Sequence, residues 1–107
     1  MTLPLHEQTC AHAQGSALTR AECEPLLAQL NGWQLHDGAL RKRFNFSDFH
    51  RTMAFVNAVA EVAHAQDHHP DMNVSYGHCT LHWSTHSVGG LSVNDFICAA
   101  RVDAMPP

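Results

Sequence analysis

Five consecutive residues, Asp67-His68-His69-Pro70-Asp71, bring two imidazoles and two carboxylates together beside a proline. Imidazole changes its charge near neutral pH, so a histidine pair can exchange protons with a substrate or bind a metal ion. The proline disfavours helical backbone at His69, so an incoming helix must end at or just before the histidine pair. We therefore expect this stretch at the junction of a helix and a strand, a usual place for a pocket wall.

The spacing of the histidines, of which the chain has ten, argues against a metal site. His64 and His68 are four residues apart, and His78, His82 and His86 repeat every four residues. On a strand, four residues span roughly 13 Å, so one ion cannot collect such ligands. The chain also has no HExxH motif and no closely spaced cysteine pair. We expect no metal ligands, and a histidine-rich metal binder is kept only as a third hypothesis, which elemental analysis would test.

General acid/base chemistry is the remaining interpretation. The sequence has neither the GxSxG elbow of a serine hydrolase nor a phosphate-binding glycine loop. His86 ends a polar segment before a glycine turn, and Asp95 follows in the last predicted helix. Structural alternatives stay open here: His68 and His69 would also suit a solvated pair at a helix C-terminus, and Asp95 would also suit a capping box with Ser92.

A long amphipathic helix leads into the histidine pair. Ser47 is a plausible N-cap, and the helix would cover residues 48–67. Its apolar residues recur at helical spacing and predict the main support of the core. They are Phe49, Met53, Val56, Ala60 and Ala63, with Phe55, Val59 and Val62 beside them.

The preceding segment predicts a helix and a hairpin. Thr19 and Glu22 form a capping box for a helix that runs to about Leu30, although Pro25 should kink or shorten it. Two strand-like runs, residues 33–36 and 39–46, are joined by Asp37-Gly38, a strong turn signal. The order of elements after the long helix is a short, ambiguous strand (72–76), a clear strand (78–86) and a helix that starts at Ser92. This order predicts an α+β layer fold.

The length, net charge and composition of the chain limit the class of protein. With 107 residues, the chain is long enough for one domain, which we place at residues 18–107 after a mobile tail at 1–17. The net charge of −4 argues against a nucleic-acid partner, and no apolar run is long enough to span a membrane. No secretion signal is visible, so we expect a cytoplasmic protein whose cysteines are reduced thiols. These are Cys10, Cys23, Cys79 and Cys98.

At the candidate residues the sequence resembles the pterin-4a-carbinolamine dehydratases. The resemblance covers about residues 18–103 and rests on a specific combination of motifs. The motifs around the histidines are Asp67-His68-His69-Pro70-Asp71, Asn73-Val74, Tyr76, Ser84-Thr85-His86, Gly90-Leu91-Ser92 and Asp95. Upstream, the match includes Gly32-Trp33 and Phe44-Asn45-Phe46-Ser47-Asp48-Phe49.

The resemblance implies a four-stranded antiparallel sheet with three helices packed on one face, in the order α-β-β-α-β-β-α. It implies a homodimer or homotetramer that dehydrates 4a-hydroxytetrahydropterin to quinonoid dihydropterin. The reaction supports aromatic amino-acid hydroxylation through tetrahydrobiopterin recycling and uses no metal or cofactor. Water leaves C4a while a proton leaves N5, and imidazoles with a pKa near 6.5 can serve as acid and base at neutral pH.

The resemblance also implies a role for each matching residue. His69 and His86 would be the acid/base pair, and His68 would bind and orient the pterin. Asp95 would orient a histidine besides capping its helix. The remaining pocket residues would bind the substrate, partly through backbone groups. These are Asp67, Pro70, Ser84 and Thr85.

One position departs from the family pattern. Family members commonly have Glu four residues before the first histidine of the pair, where this chain has His64. If that carboxylate tunes a catalytic histidine, its replacement should lower the histidine's pKa, and the activity would be reduced, shifted in its pH optimum or lost. The alternative function is a catalytically weak relative that acts as a protein-binding, assembly or coactivator module, since some members of the family it resembles bind transcription factors or assist other proteins.

Overall fold

Residues 2–106 are described by the structure, a computed structural model. In chain order the regular elements are α1 (Arg20–Leu27), β1 (Gln34–His36), β2 (Ala39–Asn45), α2 (Phe49–Gln66), β3 (Asp71–Val74), β4 (His78–Trp83) and α3 (Val93–Asp103). A single-turn 3₁₀ helix, Leu5–Glu7, precedes α1, and a second one, His86–Val88, lies between β4 and α3. This order confirms the predicted α+β fold, α-β-β-α-β-β-α, with its helices on one face of the sheet.

The four strands form one antiparallel sheet in the order β1-β2-β4-β3. Asp37 and Gly38 join β1 to β2, both with positive φ (47° and 75°), the backbone that a two-residue hairpin turn with right-handed strand twist requires. The hairpin prediction is therefore confirmed. Alternation along β4 buries Cys79, Leu81 and Trp83 against the helices and leaves the residues between them on the polar face.

The most buried helix is α3, which corrects the prediction that the long helix is the main support of the core. Eight of its residues are buried, whereas α2 buries only Thr52, Val59 and Ala63. The reason is position: α3 packs against the sheet, α1, α2 and the N-terminal 3₁₀ helix. Phe49, predicted to begin the apolar stripe of α2, is 48% exposed.

Helix ends follow the capping chemistry, with two shifts from the predicted boundaries. The Thr19–Glu22 capping box is present, but α1 ends at Leu27 instead of Leu30. Pro25 lies inside this short helix, where its missing N–H removes a hydrogen bond. The N-cap of α2 is Asp48 and not Ser47: the Asp48 carboxylate accepts from the backbone N–H of Arg51 at 2.8 Å.

The segment before α1, predicted as a mobile tail, is packed against α3 along much of its length. Leu5 is buried in the core, and Arg101 donates from Nε to the Gln8 carbonyl at 3.0 Å. Ser87 Oγ donates to the Ala13 carbonyl at 2.8 Å. These contacts were not foreseen because the segment has no hydrophobic periodicity. None of the helices within residues 2–106 has the length and apolar character needed to cross a membrane.

Candidate active site

A cleft of about 570 Å³ lies between the C-terminal end of α2 and the loop that follows β4. Its volume is within the range of small-molecule sites, roughly 300–1,000 Å³. All seven residues predicted to bind substrate line it: Asp67, His68, His69, Pro70, Ser84, Thr85 and His86. Asp95 lies behind this wall, fully buried in the first turn of α3.

Asp67 ends α2 in the left-handed region, with φ 49° and ψ 43°. Its backbone N–H bonds the last turn of the helix, and the N–H of His68 bonds the Ala63 carbonyl at 3.2 Å. The chain therefore changes direction between the helix and the histidine pair. As a result, His68 is largely buried beneath the cleft and His69 is exposed at its rim.

His68 is fixed by a buried carboxylate. Its Nε2 lies 2.6 Å from Oδ1 of Asp95, and the side chains are 14% and 0% exposed, respectively. The imidazole also stacks on Trp83, with centroids 5.8 Å apart and planes at 13°. Since a carboxylate can only accept, Nε2 carries a proton and donates to Asp95. The other ring nitrogen, Nδ1, has no hydrogen-bond partner within residues 2–106.

The second oxygen of Asp95 is also satisfied. Oδ2 accepts from Thr85 Oγ1 at 2.8 Å and from the backbone N–H of Ser92 at 3.0 Å. Because the Thr85 hydroxyl proton is used on Asp95, the 2.8 Å contact between the two hydroxyls has Ser92 as donor. Asp95 thus closes the capping box of α3 and holds His68 at the same time.

This network changes the acidity of His68. The hydrogen bond to Asp95 raises the pKa of His68 above its ordinary value, and the charge of the carboxylate adds to that effect. Partial burial lowers the pKa, but by less than the hydrogen bond and the charge raise it. His68 is therefore held in its protonated, donating form to a higher pH than a free histidine.

His69 and His86, the other two cleft histidines that the sequence predicted, are exposed. His69 follows the buried His68 directly, and its ring lies 6.4 Å from that of His64, edge to face. His86 was predicted at the end of a strand covering residues 78–86, which is wrong, because β4 stops at Trp83. The backbone of Thr85 instead pairs with Gly90 to close a small loop, and His86 begins a 3₁₀ turn inside it.

Residues 10–13 form one wall of the cleft, which was not predicted from the sequence. The buried Asn94 fixes this segment with two hydrogen bonds. Its Oδ1 accepts from the Ala11 N–H at 3.1 Å, and its Nδ2 donates to the Ala11 carbonyl at 2.6 Å. Gln66 accepts from the Cys10 N–H at 2.8 Å. No residue pattern in the segment signals this role.

Of the remaining histidines, the exposed His12 lines the cleft from the segment of residues 10–13, whereas His78 and His82 do not line it. His78 and His82 lie on the polar face of the sheet, and His82 lines a separate depression there with His36 and Asp71. Within residues 2–106, no three side chains of the His, Cys, Asp or Glu type are arranged to hold one metal ion.

The fold and the cleft together define a small α+β domain with a histidine-lined ligand site. Residues 16–105 match the family model described as pterin 4 alpha carbinolamine dehydratase. The chain belongs to this family, as the resemblance of its motifs predicted. Two relatives carry the name of this family. One from Nitrosomonas eutropha is 50% identical over 94% of this chain and 92% of its own length, and one from Stenotrophomonas maltophilia is 49% identical over 96% of this chain and 92% of its own length.

Two solved structures are also similar. A transcriptional coactivator/pterin dehydratase from Brucella melitensis superposes with a TM-score of 0.78 and 32% identity, covering 83% of this chain and 97% of its own. A pterin dehydratase-like protein identified as a RuBisCO assembly factor in the alpha-carboxysome gives a TM-score of 0.55 and 29% identity, covering 67% and 83%.

Proposed function

We propose that this protein dehydrates 4a-hydroxytetrahydropterin to quinonoid dihydropterin by histidine acid/base catalysis. The observation that carries the proposal is the convergence of His68, His69 and His86 on one cleft of suitable volume, with His68 tied to a buried carboxylate. Membership of the family supports the substrate class.

The reaction needs one proton delivered and one removed. The hydroxyl at C4a leaves as water after it is protonated, and the N5 proton departs to restore a double bond. His69 and His86 are proposed for these two roles, because both are exposed and both line the cleft. Neither imidazole has a hydrogen-bond partner within the part of the chain that the structure describes, so both nitrogens of each ring are open to a substrate.

His68 is proposed to bind and orient the pterin. Its Nε2 is committed to Asp95, which leaves Nδ1 to meet the substrate. Because its pKa is raised, His68 stays a donor near neutral pH and suits a pterin oxygen or ring nitrogen that accepts. Asp95 acts through His68, while Asp67, Pro70, Ser84 and Thr85 shape the walls.

We also propose a compartment, a pathway and an oligomeric state for the protein. The reaction would take place in the cytoplasm, in tetrahydrobiopterin recycling for aromatic amino-acid hydroxylation, and would require no metal or cofactor. The protein would act as a homodimer or homotetramer. The four free cysteines support a reducing compartment.

A dehydration assay with 4a-hydroxytetrahydropterin tests the proposal. We expect His69→Ala and His86→Ala each to lower kcat about 10²–10⁴-fold, the usual contribution of a positioned acid or base. His78→Ala is the matched control, since this histidine lies on the sheet face away from the cleft. If the wild type gives only the spontaneous rate, or all three variants fall equally, the proposed function is wrong.

The second candidate is a catalytically weak relative that binds or assembles other proteins. Two points favour it: the chain has His64 where the resemblance implies Glu, and one similar structure is that of an assembly factor. A wild type without turnover that gains activity on His64→Glu would support this candidate over the enzyme.

A further inference from the structure

Two thiols meet at the edge of the cleft. Sγ of Cys10, in the N-terminal segment, lies 3.6 Å from Sγ of Cys98, in α3. Cys98 is fully buried, whereas Cys10 is partly exposed and lines the cleft. Among residues 2–106 no other two cysteines are within hydrogen-bonding distance, so Cys23 and Cys79 serve as internal comparisons.

The two cysteines differ in what holds them. Cys98 is fixed by its helix, while Cys10 belongs to a stretch without helix or strand. Its own hydrogen bonds are that of its N–H to Gln66 and the weak one of its Sγ to the Asn94 carbonyl at 3.6 Å. A disulfide needs sulfurs about 2.05 Å apart. The movement of roughly 1.5 Å that closes this gap can therefore come from Cys10 and its neighbours.

The surroundings favour Cys10 as the attacking sulfur. The contact with Cys98 lowers the pKa of the Cys10 thiol, and the charges of His68 and Arg101 act in the same direction, against burial and Asp95. The same contact and burial raise the pKa of Cys98. The accessible sulfur is thus the one with more thiolate character, and the buried one is placed to resolve the product.

We propose that Cys10 and Cys98 form a reversible disulfide that fastens the N-terminal segment to α3 as a fixed wall of the cleft. The oxidant is a hydroperoxide. The Cys10 thiolate attacks it, an S–O bond forms as the O–O bond breaks, and an alcohol or water leaves with a proton. The Cys98 sulfur then attacks Cys10, the S–S bond forms as the S–O bond breaks, and water leaves with the Cys98 proton. The two sulfurs lose the two electrons that the peroxide gains.

The bond would close a loop over most of the chain, because its ends are 88 positions apart. Cross-links of this length restrict the unfolded state strongly, so oxidation should raise the thermal midpoint by about 10 °C or more. It would also keep residues 10–13 at the cleft, since Asn94 and Cys98 lie on the same helix. Thiol reductants would reverse both effects.

Peptide mapping tests the proposal without reference to catalysis. The full chain is treated with hydrogen peroxide, free thiols are blocked with N-ethylmaleimide, and the protein is cleaved after Arg and before Asp. Cys10 and Cys98 then fall in separate peptides, residues 1–20 and 95–101, each with one cysteine. We expect these two peptides linked, and separated again by a reductant.

Variants identify the partners. The link should be absent in Cys10→Ser and Cys98→Ser and kept in Cys79→Ser, and peroxide should raise the midpoint of the wild type but not of Cys10→Ser. Recovery of the two peptides unlinked overturns the proposal, whether Cys10 is intact or overoxidised. A link from Cys10 to Cys79, or to a second chain on a non-reducing gel, also overturns it.

Discussion

Replacing Asp95 by Asn is the sharpest test of the buried network. The carboxylate accepts three hydrogen bonds, from His68, Thr85 and Ser92. An Asn of the same shape can turn its carbonyl towards Thr85 and Ser92, but its NH₂ group then faces Nε2 of His68. His68 must accept there and move its proton to Nδ1, which exchanges its donor and acceptor ends.

The cost follows from the bond types. Hydrogen bonds to a charged group contribute about 1.5–3 kcal/mol and neutral ones about 0.5–1.5 kcal/mol. Losing the charge on three bonds therefore costs about 3 kcal/mol. Part of this cost is recovered because folding of the variant no longer requires the desolvation of a charged carboxylate. We expect Asp95→Asn to lower the free energy of unfolding by about 2 kcal/mol in mildly acidic solution.

The loss should depend on pH. The folded pKa of His68 lies above its unfolded value, so the folded wild type binds more protons in the interval between the two. Its free energy of unfolding decreases as the pH rises through that interval. The stabilisation is complete below about pH 6.5, the ordinary histidine value, and is lost above the folded pKa. Asp95→Asn removes the largest cause of the shift and should flatten this dependence.

Urea unfolding of wild type and variant between about pH 5.5 and 9 measures the effect. His68→Gln is the control, because its amide can donate to Asp95 but does not titrate. In that background, Asp95→Asn should cost the same free energy at every pH. If the cost in the wild-type background is equally independent of pH, the protonated His68–Asp95 pair does not carry the stabilisation and the reasoning fails.

Three further predictions concern single positions. His64→Glu should shift the pH–rate profile of the dehydration towards higher pH, because its carboxylate would lie beside His69 and favour a protonated imidazole; an unmoved profile contradicts this. Thr52→Val should cost about 1–3 kcal/mol in urea unfolding, since the buried hydroxyl that contacts the Tyr76 carbonyl is lost; a cost below about 0.5 kcal/mol, typical of surface sites, contradicts it. Gly38→Ala should cost about 1–2 kcal/mol in the same assay because its φ is 75°, and no loss would refute the strain argument.

The sequence predicted the fold where local chemistry and periodicity agreed. Asp37-Gly38 specified the hairpin, the Thr19 box specified a helix start, and Pro70 placed the histidine pair beyond α2. It failed where tertiary packing decides. Burial of α3 depends on what surrounds the helix, and the end of β4 depends on the Thr85–Gly90 bridge; neither can be read from local residue patterns.

The candidate site divides in the same way. Motif residues near the end of α2 and after β4 were found because their types and order are distinctive, and the structure places them in one cleft. That Asp95 pairs with His68 and not with another histidine depends on how α3 packs under the sheet. The wall formed by residues 10–13 left no signal, since backbone atoms make most of its contacts.

The left-handed turn at Asp67 has a consequence for how such a protein can evolve. Because of this turn, two neighbouring histidines are under different selective pressures. His68 is part of the folded interior, whereas His69 makes no hydrogen bond in the described chain. Substitution of the buried His68 is opposed by the loss of stability, but substitution of the exposed His69 is opposed only by the loss of its proposed catalytic role. If the proposed reaction depends on His69, a lineage that no longer needs it can lose it by one substitution and keep the fold intact for other uses.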